Sequence, residues 1–494
     1  MSNSILKSSI PELATLLRDK KISAVELCKL YLERIKKQKG LNAYISVFEK
    51  EALENSAALD KEGFAKSDPL LKGIPISLKD IFMMKGSKTT CASRMLKEYI
   101  APYDSTVTKR LKDKKAVILG KTNMDEFAMG SSNEHSYFGP VKNPWDSTRV
   151  SGGSSGGSAV AVSAGLSQIS FGTDTGGSVR LPASYTSILA LKPTYGRVSR
   201  YGVIAFASSL DQPGPMARNV HDLAIAYDAV AGLDTKDSTT SSRKPESIYD
   251  YVIKEVDTNK KDLAKKTIGI PSEFIKEGVT KDVLKVFEDT LNSLKGLGFN
   301  IVDVELPHAK YALDVYYIIN PGEASSNLSR YDGIRFGHRS KDFSDLSSLY
   351  SDSRGEGFGE EVKRRIMLGT FVLSAGYYDA YFAKAAKVRS LIRADFEKAY
   401  EKCDAVLMPV SPFTAFKLGE KMSDPLSMYL SDIFTISINL AAVPSLAFPA
   451  GFSQSGLPIG MQLIGKHFDE KTLFGITRLL EMEKQDNFNR ISVQ

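Results

Sequence analysis

The chain has little of what disulfide, metal or histidine chemistry requires. Its three cysteines, Cys28, Cys91 and Cys403, form no CxxC pair and no even framework. That excludes a disulfide scaffold and predicts free thiols in a reducing compartment. Five histidines, His135, His221, His308, His338 and His467, are all the chain has, and none sits in a nucleophile context such as GxSxG. No run is apolar enough to span a membrane. The most apolar stretch, Leu426 to Leu463, is interrupted by Pro444, Pro449 and Pro458 and reads as core strands and turns. The opening residues are too polar for a secretory signal, so a cytoplasmic location is expected. No internal repeat and no metal or nucleotide motif is present.

At 494 residues, 42% apolar and 25% charged, the composition is that of an ordinary globular protein. Length alone suggests about three domains. The motifs described below are instead spread along one chain and predict a single α/β domain over 1–494, with a catalytic core at about 70–220 and substrate-side helical elements at about 310–435. The net charge of +7 comes from Lys and Arg scattered along the sequence. Scattered cations do not mark a nucleic-acid face.

The most informative stretch is Arg149 to Pro182, RVSGGSSGGSAVAVSAGLSQISFGTDTGGSVRLP. Two glycine-serine clusters, Gly152–Ser158 and Gly176–Ser178, flank the apolar run Ala159–Phe171, which predicts a buried helix leading into a strand. A flexible linker would stay polar between its clusters. No lysine follows the glycines and GxGxxG spacing is absent, so neither a P-loop nor a dinucleotide fold is indicated. Either the clusters are plain tight turns, or serine hydroxyls beside glycine N–H groups supply a nucleophile and an oxyanion hole. A serine nucleophile needs a base, and a buried lysine can serve once desolvation has lowered its pKa. Lys79 fits, because Ile74, Ile76 and Leu78 predict a strand that ends on it.

The combination of KGIPISLKD, GGSSGGS and DTGGSVR, in that order, resembles the amidase signature family of Ser-cisSer-Lys amide hydrolases. The resemblance covers nearly the whole chain and implies an α/β/α fold around a mixed sheet. Residue by residue, it implies Ser178 as nucleophile, Ser154 as the bridging cis-serine, Lys79 as base and Ser155 as a supporting hydroxyl. The amides of Thr175, Gly176 and Gly177, together with that of Ser178, would form the oxyanion hole, and the Gly153–Ser154 peptide would be cis. Phe127–Ser132, with Gly130 and Ser131, resembles the family's substrate-lining loop. Leu191–Pro215 is similar to the family's tRNA-dependent amidotransferase A subunits. That branch implies ammonia release from glutamine for conversion of Glu-tRNA(Gln) to Gln-tRNA(Gln), B and C partner subunits in a heterotrimer, and ATP and Mg2+ used by a partner rather than by this chain. A stand-alone amidase acting on other small amides, or an inactive scaffold subunit, would share much of the pattern. Two departures, Leu181 where many members have Gln and Thr186-Ser187 where Cys or Thr and Gly are commoner, touch pocket shape rather than chemistry.

Free glutamine is a zwitterion, so its site needs a cation and an anion, both desolvated. Asp432 is the only charged residue between Pro425 and Lys466, which suits a ligand or a core helix cap. Arg365, in EEVKRRIMLGTF, borders a helix face marked by Val362, Ile366 and Gly369. It could equally belong to a solvated KRR face. The resemblance assigns both residues, and Tyr316, to glutamine, although neighbouring Tyr317 leaves the register open. Elsewhere the sequence alternates helices and strands. Ser23 and Glu26 form a capping box before a helix; strands are expected at 43–48, 116–120, 267–270, 300–304, 405–408, 445–448 and 461–465. Helices are expected at 49–66 and 281–297, and an exposed loop at 234–247.

Overall fold

The computed structural model describes residues 2–258, 263–273, 275, 278–422 and 424–491. Its strands are β1 (Tyr44–Val47), β2 (Pro75–Lys79), β3 (Val117–Thr122), β4 (Ile169–Asp174), β5 (Leu189–Lys192), β6 (Gln212–Ala217), β7 (Thr267–Ile270), β8 (Asn300–Asp303), β9 (Ala405–Pro409), β10 (Ser445–Phe452) and β11 (Pro458–Gly465). They form one mixed sheet in the order β1-β3-β2-β4-β6-β5-β10-β11-β9-β7-β8. Every residue of β2, β3, β4, β5, β6, β9 and β11 is buried. A strand buried on both faces needs helices on both sides, which is the α/β/α arrangement expected. The two edge strands, β1 and β8, are short and partly exposed, and short edges discourage pairing with other chains.

What positions the site is the parallel pair β2 and β4, in register Ile76↔Ile169, Ser77↔Ser170 and Leu78↔Phe171. Lys79 at the end of β2 therefore lies beside Gly172 and Thr173 at the end of β4. The glycine-serine loop leads straight into the helix Gly156–Ser163, whose residues are all buried, and then into β4, as the sequence indicated. The first glycine-serine loop thus feeds through that helix into β4, and the second follows β4 directly and leads into the helix Arg180–Thr186.

Local signals account for most elements. Ser23 caps the helix Ala24–Lys37: its hydroxyl accepts from the Glu26 N–H at 3.1 Å, and its own N–H donates to the Glu26 carboxylate at 2.8 Å. The following helix spans Glu49–Glu62, shorter than expected, because Gly63 leaves it at a positive φ of 80°. Strand β3 runs to Thr122 rather than 120, since pairing with β2 continues through Lys79↔Thr122. The loop at 234–247 is mostly exposed, as expected, but it is pinned at buried Asp237 and Thr240. Asp237 is buried and accepts from the Arg200 N–H at 2.8 Å, and the Ser241 N–H donates to the Gly196 carbonyl at 2.9 Å. The stretch 426–463 departs most. Its first half forms the short helices Pro425–Tyr429 and Ile436–Leu440, and only β10 and β11 are strands. Ile436–Leu440 is buried on every side, and such a run carries no period by which helix and strand can be told apart.

The two departures from the family pattern are also placed. Leu181 packs in an apolar cluster with Val150, Tyr185 and Val410. Ser187 ends the helix Arg180–Thr186 in the left-handed region at φ 59°, a conformation glycine adopts more readily. All three cysteines are free and buried. Among the described residues no helix is long and apolar enough to cross a membrane.

Removing the cap in Ser23→Ala is expected to destabilise the protein by about 1 kcal/mol. The shift appears as a lower urea midpoint; an unchanged midpoint would show that the first-turn amides find another acceptor.

Candidate active site

The Lys79 side chain is fully buried. Its Nζ lies 2.7 Å from Ser154 Oγ, 2.9 Å from Ser155 Oγ and 3.0 Å from Thr173 Oγ1. Burial draws its pKa down to about 7, against the opposing pull of Asp125, Asp174 and Asp211. A neutral amine has two N–H donors and one lone pair, so one of the three hydroxyls must donate to nitrogen. The Ser155 hydroxyl is occupied as a donor to the Thr173 carbonyl at 3.2 Å. Ser154 and Thr173 remain as donors to the amine.

Ser154 follows the cis peptide Gly153–Ser154. Gly153 is required by close approach, because a Cβ there would sit 2.0 Å from Asp125 Oδ2. Asp125 in turn accepts from the Asn133 N–H at 2.9 Å and the His135 N–H at 3.1 Å, tying the segment that follows 127–132 to the serine loop. Ser154 and Ser155 are wholly buried, whereas Ser178 retains 9% exposure. The Ser178 carbonyl accepts from the Ser155 N–H at 3.1 Å, which joins the two glycine-serine loops. Lys79 and Ser154 thus lie in the sealed interior, while Ser178, on the second loop, reaches towards solvent.

The second loop is held by Asp174. Its carboxylate accepts from the Gly177 N–H at 2.9 Å, the Val179 N–H at 3.2 Å and the Arg180 guanidinium at 3.0 Å. Burial raises this carboxyl, but Arg180 beside it outweighs burial and leaves the pKa at about 2. The Gly177 amide is therefore taken, a difference from the expected oxyanion set. Among the described residues no protein acceptor engages the N–H groups of Thr175, Gly176 or Ser178. Thr175 is anchored through its hydroxyl to Asp211 at 2.7 Å, and Thr435 donates to the Gly176 carbonyl at 2.5 Å.

Arg365 and Asp432 converge on this loop. The helix Glu360–Leu373 buries Glu361, Val362, Arg365 and Gly369, so Arg365 lies on the inward face. Its Nε donates to Glu361 Oε1 at 2.8 Å, and its guanidinium sits among Phe206, Tyr317 and Tyr429, 5.3–5.8 Å from their centroids. Burial opposes the charge, and Glu361 more than compensates, holding the guanidinium ionised. Asp432 ends a 3-10 turn and caps no helix with its side chain; it accepts from Ser131 Oγ at 2.5 Å. Burial pushes its carboxyl up to about 7, partly offset by Ser131 and Arg365. The Ser131 carbonyl also accepts from the Gly153 N–H at 2.8 Å, linking Asp432 to the serine loop. Gly130, with φ 158°, lies against Asp125. Tyr316 is the tyrosine that faces the loop: a Cβ on Gly176 would be 2.8 Å from its ring. Tyr317 instead stacks on Tyr429 at 3.8 Å. All the side chains singled out in the sequence therefore fall around one centre.

The family model for amidases matches residues 26–474. The chain belongs to the Amidase family. It is 52% identical over 478 residues to the A subunit of the glutamyl-tRNA(Gln) amidotransferase of Coxiella burnetii, covering 97% of both chains. To the A subunit of the same name from Methylobacillus flagellatus it is 53% identical over 471 residues, covering 94% of this chain and 95% of the relative. Among solved structures, the A subunit of the glutamyl-tRNA(Gln) amidotransferase of Thermotoga maritima matches with a TM-score of 0.79 at 42% identity, over 97% of this chain and 95% of that one.

Several site residues of this amidase went unread in the sequence. Glu361 had a signal, standing one helical turn before Arg365, where an acid and a base face each other. Thr173, Asp174, Asp211 and Thr435 had none, because hydroxyls and carboxylates are common and only the fold shows which are buried at the site. Among the described residues no group of three or more His, Cys, Asp or Glu side chains is placed to hold a metal ion.

The depressed Lys79 pKa has a stability consequence. Between about pH 7 and the ordinary lysine value of about 10.4, the unfolded chain binds a proton that the folded chain does not, so stability rises with pH in that window. Relative to Lys79→Met, the wild type should gain up to about 1.4 kcal/mol per pH unit across the lower part of this window. Urea titrations of both proteins at several pH values above 7 measure it; a pH-independent difference would contradict the burial argument.

Proposed function

We propose that this chain is the glutamine-hydrolysing A subunit of a glutamyl-tRNA(Gln) amidotransferase, working in the cytoplasm. The observation that carries the reading is the placement of a held cation, Arg365, and a desolvated carboxylate, Asp432, beside the Lys79–Ser154–Ser178 chain. A neutral aliphatic or aryl amide has no use for that pair, whereas glutamine brings a carboxylate and an ammonium. The names of the amidotransferase relatives support the same substrate.

Neutral Lys79 takes the Ser154 proton as Ser154 takes that of Ser178, and Ser178 Oγ attacks the side-chain carbonyl carbon of glutamine. The resulting oxyanion lies against the free amides of Thr175, Gly176 and Ser178, where one such donor is worth about 2.7–4 kcal/mol. The protonated lysine returns its proton through Ser154 to the leaving nitrogen, the C–N bond breaks and ammonia departs. Water, deprotonated along the same path, hydrolyses the glutamyl ester. Arg365 holds the substrate α-carboxylate, Asp432 and Ser131 face the α-ammonium, and Tyr316 packs the chain onto the loop. The ammonia passes to B and C subunits, where a partner uses ATP and Mg2+ to activate Glu-tRNA(Gln) and form Gln-tRNA(Gln).

Ammonia release from glutamine, by the chain alone and then with B and C subunits, ATP, Mg2+ and Glu-tRNA, tests the assignment. Strong stimulation with formation of Gln-tRNA is expected; equal turnover of simple amides with no response to partners or tRNA would make this a free-standing amidase. Ser178→Ala should abolish ammonia release, and wild-type turnover in that variant would remove Ser178 from the mechanism. Arg365→Ala should raise the glutamine KM by roughly 10- to 100-fold, the loss of a charged hydrogen bond.

The pH profile follows from the same groups. Lys79 must be neutral and Asp432 ionised, and both titrate at about 7, so kcat/KM rises with pH through that value. In Asp432→Asn the limb in kcat should persist, because it belongs to Lys79. Its disappearance would assign the base elsewhere.

A further inference from the structure

The helix Glu360–Leu373 holds Arg365 inward and presents an apolar face outward. Met367 is 73% exposed, Leu368 42% and Phe371 46%, at the three- and four-residue spacing that puts them on one side. The next turn continues that surface. Tyr377, Tyr378 and Tyr381 are each more than two-fifths exposed. Phe371 lies 4.3 Å from the Tyr377 ring and 6.1 Å from Tyr381, so the aromatic side chains form one patch rather than scattered residues. Single exposed hydrophobics are normal, but a contiguous patch of this kind marks an interaction site.

We infer that this face docks a protein subunit with an apolar centre and a carboxylate rim. Size supports it: six such side chains, at about 150–250 Å² each when whole, leave roughly 500 Å² of apolar surface exposed. That is about the apolar share of one side of a standard interface. Charge selects the occupant. From Lys363 to Arg389 the sequence holds six cations and a single carboxylate, Asp379; Lys363, Arg364 and Arg365 are paired with Glu360 and Glu361 on their own helix, so the charge that matters lies at the far end. Lys384 and Lys387 are exposed and make no ion pair among the described residues. A second copy of this chain docking through the same face would bring those cations together, whereas an acidic-rimmed partner neutralises them.

The docked face is coupled to the glutamine site by construction. Gly369 rests on the Pro321 carbonyl with no room for a side chain, which fixes this helix against the helix Ala312–Leu328 that carries Tyr316. A partner seated on Met367, Phe371 and Tyr381 thus presses on the element that aims Arg365. The inference rests on the amidotransferase reading, which supplies the partner.

The test co-expresses the full chain with the B and C subunits encoded in the same genome and measures assembly by size-exclusion chromatography with light scattering. Phe371→Ser combined with Tyr381→Ser should weaken assembly at least tenfold and leave basal ammonia release by the isolated chain unchanged. Lys384→Glu combined with Lys387→Glu should weaken it chiefly at low salt. Wild-type assembly by both double variants overturns the docking face while leaving the function intact. Failure of the wild-type chain to assemble overturns the amidotransferase reading itself. A wild-type homodimer that the aromatic variant makes monomeric assigns the face to a second copy and overturns the acidic partner.

Discussion

Everything at the centre of this molecule depends on the desolvation of one amine. Lys79 is delivered by a buried strand to a spot where, among the described residues, it meets three hydroxyls and pairs with no carboxylate. The nearest acids act on it only from a distance, and each is already engaged: Asp125 by the amides of Asn133 and His135, Asp174 by Arg180, and Asp211 by Thr175. Had any of them paired directly with the amine, its pKa would rise and the base would be lost. The hydrogen-bond network is therefore as much a means of keeping charge away from Lys79 as of holding loops in place.

The same logic shapes the substrate side. Arg365 keeps its charge because Glu361 lies beside it, and three aromatic rings surround the guanidinium without competing for its hydrogen bonds. Among the described residues Asp432 has only a hydroxyl partner, at 2.5 Å, so its ionisation is poised and would be completed by an arriving ammonium. A cation held ready and an anion left to be satisfied by the ligand differ in kind, and the difference favours a zwitterion over a plain carboxylate.

Legibility from sequence followed chemical rarity. Lys79, Ser154 and Ser178 could be read because a buried lysine and two glycine-serine clusters are unusual in company. Asp432 could be suspected because a lone charge in an apolar run demands a partner, and Arg365 because it borders the inward face of its helix, though a KRR run fits a solvated face as well and only the family resemblance assigned it to glutamine. The alternating elements were visible wherever an apolar period, a capping box or a glycine stop marked them. What escaped was context. Reading 426–463 as core strands and turns missed the two short helices of its first half: Ile436–Leu440 is buried on all sides and shows no period, and Pro425–Tyr429 is too short to show one. The oxyanion set was one amide too large because only the folded loop shows Asp174 reaching back to Gly177. Tyr316 and Tyr317 could not be ordered until the helix placed one on the loop and the other on Tyr429.

The central claim is that Ser178 forms a covalent bond to substrate under control of a neutral Lys79. Rapid-quench mass spectrometry of the Ser178 peptide after mixing with glutamine, repeated across pH, addresses it directly. The expected result is a glutamyl ester on Ser178 that forms more slowly below a pH of about 7, as Lys79 takes up its proton. Ammonia release without an adduct, an adduct on another residue, or formation independent of pH would contradict it.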